Sequence, residues 1–159
     1  MGLFDKLKKQ PKPVTLPEDH APHVEVFRVV GEYYNLDSIK RAGDPCPEYR
    51  WSAKKILDAG LAKKTIFRCE YPREPVAVVI DPNSETEYSS VQVKLRGHVV
   101  GYIRDVDREH MKEILQFADI EHMEIDMAGG DFRWVDADGS AHSSTVTPTA
   151  DLTVRYRVR

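Results

Sequence analysis

The sequence predicts a mainly β (α+β) fold: a small partly open barrel or strongly bent antiparallel sheet with two or three short helices. Three observations lead to this prediction. Short segments with alternating or β-branched apolar residues recur along the chain, and turn-forming residues separate them. Only one segment between them has the length and periodicity of a regular amphipathic helix. A doubly wound α/β fold is disfavoured because it needs a helix between most strands.

Composition is typical of a soluble globular domain and limits the classes of function. The 159 residues suit one domain, and 23 basic against 26 acidic residues give a net charge of −3. Nucleic-acid binding would therefore depend on a local patch. Cys46 and Cys69 match no zinc spacing and are expected to be free thiols. No cofactor is indicated, since phosphate-binding loops, nucleophile elbows and HExxH are absent from the sequence.

The first 22 residues are predicted to be a flexible Pro-rich tail, with a single domain over residues 23–159. Leu3, Phe4 and Leu7 would share one helical face, beside lysines that could touch an anionic surface. A frayed terminus is the favoured interpretation. No stretch is apolar enough to span a membrane, so a cytoplasmic location is predicted.

The first half of the domain alternates short strands and helices. His23–Val30 reads as a strand, and Leu36–Ala42 as a helix that Asn35 caps. A second helix is predicted within Tyr49–Ala59 and a strand over Lys63–Tyr71. The β-branched run Val76–Ile80 is expected to be a strand buried on both faces.

Ser90–Ile103 is the clearest segment and predicts a β-hairpin around Arg96-Gly97. A regular two-residue loop would pair Val93 with Val100 and put Tyr102 on the core side. Gly101 instead permits close approach of another backbone, or a bulge that would turn Tyr102 outward. Both registers stay open at this point.

The second half contains the helix and a series of strands. A helix is predicted from Asp105 or Asp107 to Asp119, with an apolar stripe that includes Val106, Met111 and Ile114. Gly129-Gly130 predicts a turn between two strands, and Asp136–Gly139 predicts another. Two further extended segments are predicted at Ser143–Thr147 and from Leu152 to the end.

Two blocks of the sequence resemble the HIRAN domain family. The first is VVGEYYN at Val29–Asn35, and the second is VVIDPNSETEYSSVQVKLRGHVVGYI at Val78–Ile103. The family pattern has a strand ending in Val-Gly with aromatic residues after it, then a Glu-Pro-x-Asn-Pro-Tyr-Asp loop. The family pattern ends with an Ala-Val-x-Val strand and then the motif Gly-x-x-Val-Gly, which is followed by Tyr or His. The likeness covers about half the chain.

The resemblance implies an OB-like or SH3-like β-barrel, a non-enzymatic module that binds single-stranded DNA, especially 3′ ends. The implied partners are such DNA ends and proteins of DNA repair or replication, and the oligomeric state stays open. The resemblance places the following residues at the nucleic-acid site: Tyr33, Tyr34, Asn83, Ser84, Thr86, Glu87, Tyr102 and Arg104.

The loop of the second block departs from the family pattern. Ser84 stands where the family has Asn, Glu85 replaces Pro, Thr86 replaces Tyr and Glu87 replaces Asp. The loop therefore loses a stacking ring and gains a carboxylate, which would repel a sugar-phosphate backbone. A protein-interaction module on the same barrel, without nucleic-acid affinity, is accordingly the alternative function.

Other chemistry has simpler explanations. Tyr33 and Tyr34 could instead cover the core and a sheet edge. Arginines on the last strand, Arg155, Arg157 and Arg159, are typical of a solubilising outer face, with phosphate contact as the alternative. Two metal sites are further alternatives: a metal-dependent hydrolase using His20-x-x-His23, and a calcium loop at Asp136 and Asp138. The spacing disfavours both, so no metal ligands are predicted.

Overall fold

A seven-stranded antiparallel sheet dominates residues 13–159, the part of the chain that the computed structural model describes. The sheet order is β3 (Ile66–Phe67), β8 (Ala118–Val135), β9 (Ala141–Val158), β1 (Pro22–Val30), β7 (His98–Ile103), β6 (Val91–Leu95) and β5 (Val76–Ile80). Because β3 and β5 are edges, the sheet is open. The predicted mainly β fold with short helices is confirmed. The apolar face of Leu3, Phe4 and Leu7 lies outside the described residues.

Within residues 13–159, three α-helices accompany the sheet, and none of them is long and apolar enough to cross a membrane. They are α1 (Leu36–Ala42), α2 (Ala53–Asp58) and α3 (Asp105–Phe117). Helix α1 has the predicted bounds, but the predicted cap is wrong: the Asn35 side chain makes no cap hydrogen bond, and its Nδ2 donates to the Gly31 carbonyl oxygen instead. The helix expected within residues 49–59 is shorter, because Trp51 and Ser52 are extended; the Ser52 hydroxyl then caps α2 by accepting from the Lys55 N–H at 3.1 Å.

The strand predicted over residues 63–71 is largely wrong. Only two residues form β3, and β4 (Cys69–Glu70) pairs with β2 (Asp44–Pro45) in a separate ladder. This ladder fixes the segment between α1 and β5, which also contains the 3₁₀ helix Pro47–Arg50. Both cysteines are free. Residues 44–71 therefore form a small irregular layer beside the main sheet.

Strand β1 joins the two halves of the sheet. Residues 22–28 pair with β9, whereas Val29 and Val30 pair with β7. Phe27 and Val29 are buried on one face, and Val24 and Val26 are 62% and 64% exposed on the other. Strand β1 therefore lies between β9 and β7 and links the two parts of the open sheet.

The β6–β7 hairpin has the bulged register. Arg96 and Gly97 form a two-residue turn with φ of 52° and 81°, and the Arg96 guanidinium donates to both Asp44 carboxylate oxygens at 2.8 and 3.1 Å. Val93 pairs with Gly101 rather than Val100. A Cβ on Gly101 would lie 2.7 Å from the Val30 carbonyl oxygen. Glycine therefore lets β1 approach, and the bulge half-exposes Tyr102.

Strands β8 and β9 form one long hairpin, so the turn predicted at Gly129-Gly130 is wrong. The two glycines have φ of 126° and 95° and produce a bulge within β8. The chain turns only at Asp136–Gly139, as predicted there. The separate extended segments expected near residues 143–147 and 152–158 are parts of the single strand β9. Two adjacent glycines can bend a strand as readily as they end it.

Two hydrophobic clusters stabilise the fold. The main cluster lies between the bent sheet, α1 and α3, and contains the fully buried Leu95, Ile103, Met111, Ile114, Leu152 and Tyr156. A satellite cluster of Ile56, Ile66 and Val135 joins α2 and β3 to the far part of β8. Two burial predictions are wrong: Val106 is 73% exposed, and β5 is an edge strand without a buried residue.

Residues 14–20 contact the domain, within the segment expected to be a tail. The Glu113 carboxylate on α3 accepts from the backbone N–H groups of Val14 and Thr15 at 2.6 and 2.7 Å. Leu16 packs against the main cluster, and His20 Nδ1 lies 2.8 Å from the Val158 carbonyl oxygen. The segment therefore contacts α3 in space before the chain enters β1.

Candidate nucleic-acid interface

The end of β1 presents two adjacent aromatic side chains to solvent. Gly31 has φ of 78°, and its carbonyl oxygen accepts from the Tyr34 N–H at 3.1 Å and from Asn35 Nδ2 at 2.9 Å. The resulting 3₁₀ helix Glu32–Asn35 exposes 66% of Tyr33 and 77% of Tyr34. Their rings meet edge to face, with centroids 5.7 Å apart. Neither ring belongs to the core, in contrast to the alternative considered from the sequence.

A second aromatic pair packs against Gly31. A Cβ there would lie 2.6 Å from Tyr102 Cδ2 and 3.0 Å from the Tyr88 hydroxyl. The Tyr88 and Tyr102 ring centroids are 5.7 Å apart. Glycine is therefore required both for its positive φ and for the contact with these rings. Partial burial raises the pKa of Tyr88, and the neighbouring Tyr34 and Glu32 add to this effect.

The loop Asp81–Ser90 is held by its own side chains. Asp81 Oδ1 accepts from the Asn83 N–H at 2.9 Å, and the Ser84 hydroxyl donates to the Thr86 carbonyl at 2.8 Å. Ser84 and Ser89 hydroxyls are 2.5 Å apart. These bonds shape the loop around Ser84, whose side chain is thereby engaged within the loop.

Tyr34, Thr86, Tyr88, Ser89 and Tyr102 line one open groove of about 500 Å³, here called the aromatic groove. The two distant blocks of sequence therefore meet at a single surface. Three of the eight residues placed at the site by the resemblance, Tyr34, Thr86 and Tyr102, line it. Tyr33 lines a neighbouring cavity instead, and the groove is not lined by Asn83, Ser84, Glu87 or Arg104.

Sequence reasoning missed Tyr88 and Ser89. The family pattern has a tyrosine where this chain has Thr86, and the loop was therefore expected to lack a ring. Tyr88, two residues later, supplies a ring to the groove because the 3₁₀ helix Glu87–Ser89 turns it toward Tyr102. The signal was present in the sequence as an aromatic residue between the acidic loop and β6.

Charges around the groove are largely paired. Glu87 lies 4.0 Å from Arg108 Nη1 and 3.8 Å from Lys112 Nζ on α3. Arg104 Nε donates to Asp107 at 2.6 Å, so its charge is directed to the first turn of α3. The repulsion expected from Glu87 is consequently offset by two cations. Glu85 is exposed beside them.

Glu32 is a buried carboxylate behind the exposed tyrosines. Its side chain is 8% exposed, and Oε1 has no hydrogen-bond partner among residues 13–159. Burial raises the pKa of Glu32, with Arg28 acting in the opposite direction. The 3₁₀ helix that carries Tyr33 and Tyr34 thus contains a buried carboxyl group whose charged form is destabilised.

The arginines of the last strand form ion pairs within the fold. Glu121 accepts from Arg155 Nε at 2.9 Å and Arg157 Nε at 3.0 Å, and these bonds lower the pKa of Glu121. Arg159 pairs with Asp119 at 2.8 Å. These contacts favour a stabilising role for the outer face over phosphate contact. Within residues 13–159 no three His, Cys, Asp or Glu residues are grouped to hold a metal ion.

Comparison with protein-family models, curated proteins and solved structures found no match. The geometry of the groove therefore carries the functional interpretation. Three of its features bear on binding chemistry: three tyrosine rings, two hydroxyl side chains and a loop held by its own hydrogen bonds. Such a surface suits flat, partly apolar groups that carry hydrogen-bonding edges.

Proposed function

We propose that this protein is a non-enzymatic binding module of HIRAN type that binds single-stranded DNA or DNA 3′ ends. The observation that supports this most strongly is the convergence of Tyr34, Tyr88 and Tyr102 with the loop residues Thr86 and Ser89 on the aromatic groove. The blocks of sequence that resemble the family are far apart in the chain, and both contribute to this groove.

Stacking would provide most of the affinity. A base on an aromatic side chain gains about 1–3 kcal/mol, and any of the four bases can do so because each has a π face. Tyr34 is the ring best placed for this, since it is highly exposed and lines the groove. The hydroxyl groups of Thr86 and Ser89 would bind the sugar of a terminal nucleotide. Arg108 and Lys112 lie behind the loop, where the Glu87 carboxylate between them partly offsets their charge.

Titration of fluorescently labelled single strands with free 3′ ends, at low salt, tests this proposal. We expect micromolar or tighter binding that weakens as salt rises. Tyr34→Ala should raise Kd by roughly 5- to 150-fold, the equivalent of one lost stacking contact. Val24→Ala is the matched control, because Val24 is similarly exposed on the outer face of β1 and lies away from the groove. Absence of binding at low salt would overturn the proposal.

A protein-interaction module on the same fold is the second candidate. Val24 and Val26 form an exposed apolar pair on the outer face of β1, and Glu85 adds an exposed charge near the groove. Partners of DNA repair or replication are the class that the resemblance favours. Affinity capture from a nuclease-treated extract distinguishes the two functions. A partner that persists after nuclease treatment and is lost with Val26→Asp, but not with Tyr34→Ala, would favour this candidate.

A further inference from the structure

We propose that the nucleic-acid site continues past Tyr33 into a basic cleft built by residues 44–71, which binds the phosphates of the nucleotides next to the one in the aromatic groove. This extension rests on the proposed function and assigns a role to the irregular layer beside the sheet. The basic cleft has a volume of about 420 Å³, and its cationic side chains are Lys40, Arg50 and Arg68.

Tyr33 connects the two regions. Its ring meets that of Tyr34 edge to face, and it also lines a cavity of about 190 Å³ between α1 and the bulge of β8. Gly130 lines this cavity with φ of 95°, and a Cβ there would stand 3.7 Å from the Tyr71 hydroxyl, an ordinary contact distance. Burial raises the pKa of Tyr71 to about 12, so the phenol stays neutral. The volume suits one planar ring and is too small for a drug-sized ligand.

Lys40 and Arg68 lie between this cavity and the basic cleft, because both side chains line both spaces. Arg50 adds a third cation. Among the described residues no carboxylate side chain lines the cleft, although that of Glu48 accepts at 3.0 Å from the thiol of Cys46, which does line it. Asp131, on the cavity side, lies 3.4 Å from Arg68 and partly neutralises it. Within residues 13–159, neither Lys40 nor Arg50 forms a salt bridge. Two cations are thus available to an anionic ligand.

The backbone that carries these cations is fixed before any ligand arrives. Arg133 Nη1 on β8 donates to the carbonyl oxygens of Tyr49 and Trp51, on either side of Arg50, at 2.9 and 2.7 Å. The Cys46 N–H donates to the Arg68 carbonyl at 2.8 Å. Such anchoring reduces the ordering cost of binding. A strand leaving the aromatic groove would therefore pass one exposed ring and then meet a positioned row of positive charge.

Strand length and salt dependence test the extension in the full chain. Kd is measured by fluorescence anisotropy for single strands of two and ten nucleotides over a range of salt concentrations. The double variant Lys40→Gln/Arg50→Gln should bind the dinucleotide like the wild type. For the longer strand, its slope of log Kd against log salt should fall by about 1.4, since each lost phosphate contact contributes about 0.7.

Lys54→Gln/Lys64→Gln is the matched control, with the same charge change at exposed positions outside the cleft. Melting temperatures of both double variants establish that they fold. A slope equal to that of the wild type, or an equal loss in the control, overturns the extension, while the loss of affinity in Tyr34→Ala still supports the proposed function. If the wild type binds neither strand, the proposed function fails, and the extension fails with it.

Discussion

At the scale of single residues, the exposed tyrosines depend on a buried acid. Glu32 begins the 3₁₀ helix that presents Tyr33 and Tyr34, and its carboxylate is almost fully buried with one oxygen unpaired. A buried carboxylate costs free energy in its charged form. The buried carboxylate of Glu32 thus lowers the stability of the fold at the start of the helix that positions the two rings.

Glu32→Gln should stabilise the fold at neutral pH, because it removes a charge that burial disfavours. A carboxyl group with a raised pKa binds more protons in the folded state than in the unfolded state. Its contribution to stability therefore improves as pH falls through that raised pKa. Urea denaturation at pH 7 and pH 4 should give a larger gain for Glu32→Gln at pH 7. Glu109→Gln, at an exposed position, is the control and should change the free energy of unfolding at neither pH. An equal gain in the free energy of unfolding of Glu32→Gln at both pH values would contradict the explanation.

Residue identity allowed part of the site to be predicted. The resemblance of the two sequence blocks placed Tyr34 and Tyr102 at one site, and both line the aromatic groove; Gly31 and Gly101, which accompany them, are points of close approach in the structure. Tyr88 was missed because the alignment of the loop placed Thr86 at the aromatic position. The 3₁₀ helix Glu87–Ser89 brings the ring of Tyr88 into the groove, two residues after the position where the family pattern has its tyrosine. The sequence shows no gap at this point, so pattern matching does not detect the difference.

At the scale of elements, α3 has two roles. Its inner face packs Met111 and Ile114 into the main cluster, and its outer face carries the cations near Glu87 and the carboxylate of Glu113. Partial desolvation of Glu113 disfavours its charged form, but hydrogen bonds from Thr15 and Val14 outweigh this and lower its pKa. The ionised Glu113 carboxylate thus holds the start of the segment before β1, and the Leu16 and His20 contacts hold the rest.

Release of that segment should follow the protonation of Glu113. Because the folded-state pKa is depressed, the stabilising contacts are present at neutral pH and are lost as pH falls through that pKa. Glu113→Gln should produce the same release at neutral pH. Hydrogen exchange at the Val14 and Thr15 amides, corrected for intrinsic rates, measures it. Glu109→Gln on the same helix should leave their exchange unchanged, and persistent protection in Glu113→Gln would refute the assignment.

Predictions for elements succeeded where a single pattern was decisive. Helix α1 and the turn at Asp136–Gly139 agree with the sequence. The Gly129-Gly130 turn failed because both a hairpin turn and a β-bulge require positive φ, and only the long pairing partner β9 selects the bulge. Likewise, Val76–Ile80 has the composition of a central strand, but it lies at a sheet edge, and that position depends on tertiary topology.

At the scale of the whole molecule, the fold has two hydrophobic clusters of very different size. The satellite cluster contains only Ile56, Ile66 and Val135, with partly buried neighbours that include Trp51. Few buried contacts mean a low free energy of local opening. This cluster helps to hold residues 44–67 against β8, together with the β3–β8 pairing and the hydrogen bonds of Arg133, so the basic cleft depends on it as well as on the main sheet.

Ile56→Ala should open this region locally. A large-to-small change at a fully buried position costs about 2–5 kcal/mol, which approaches the stability that a cluster of this size can supply. Amides of α2 and β3 should exchange faster, whereas those of β6 and β7 should keep their wild-type rates. Ile103→Ala, in the main cluster, is the control and should accelerate exchange throughout. A uniform acceleration in Ile56→Ala would mean that the two clusters unfold together.

The bond from Arg133 to the carbonyls of Tyr49 and Trp51 joins the outer half of the β8–β9 hairpin to the irregular layer. The two parts also bury apolar side chains against each other, Val135 from the hairpin and Ile56 from the irregular layer. Residues 44–71 and the outer half of the β8–β9 hairpin therefore form one folding unit. We expect a chimera that receives one of these two segments to fold only when it also receives the other.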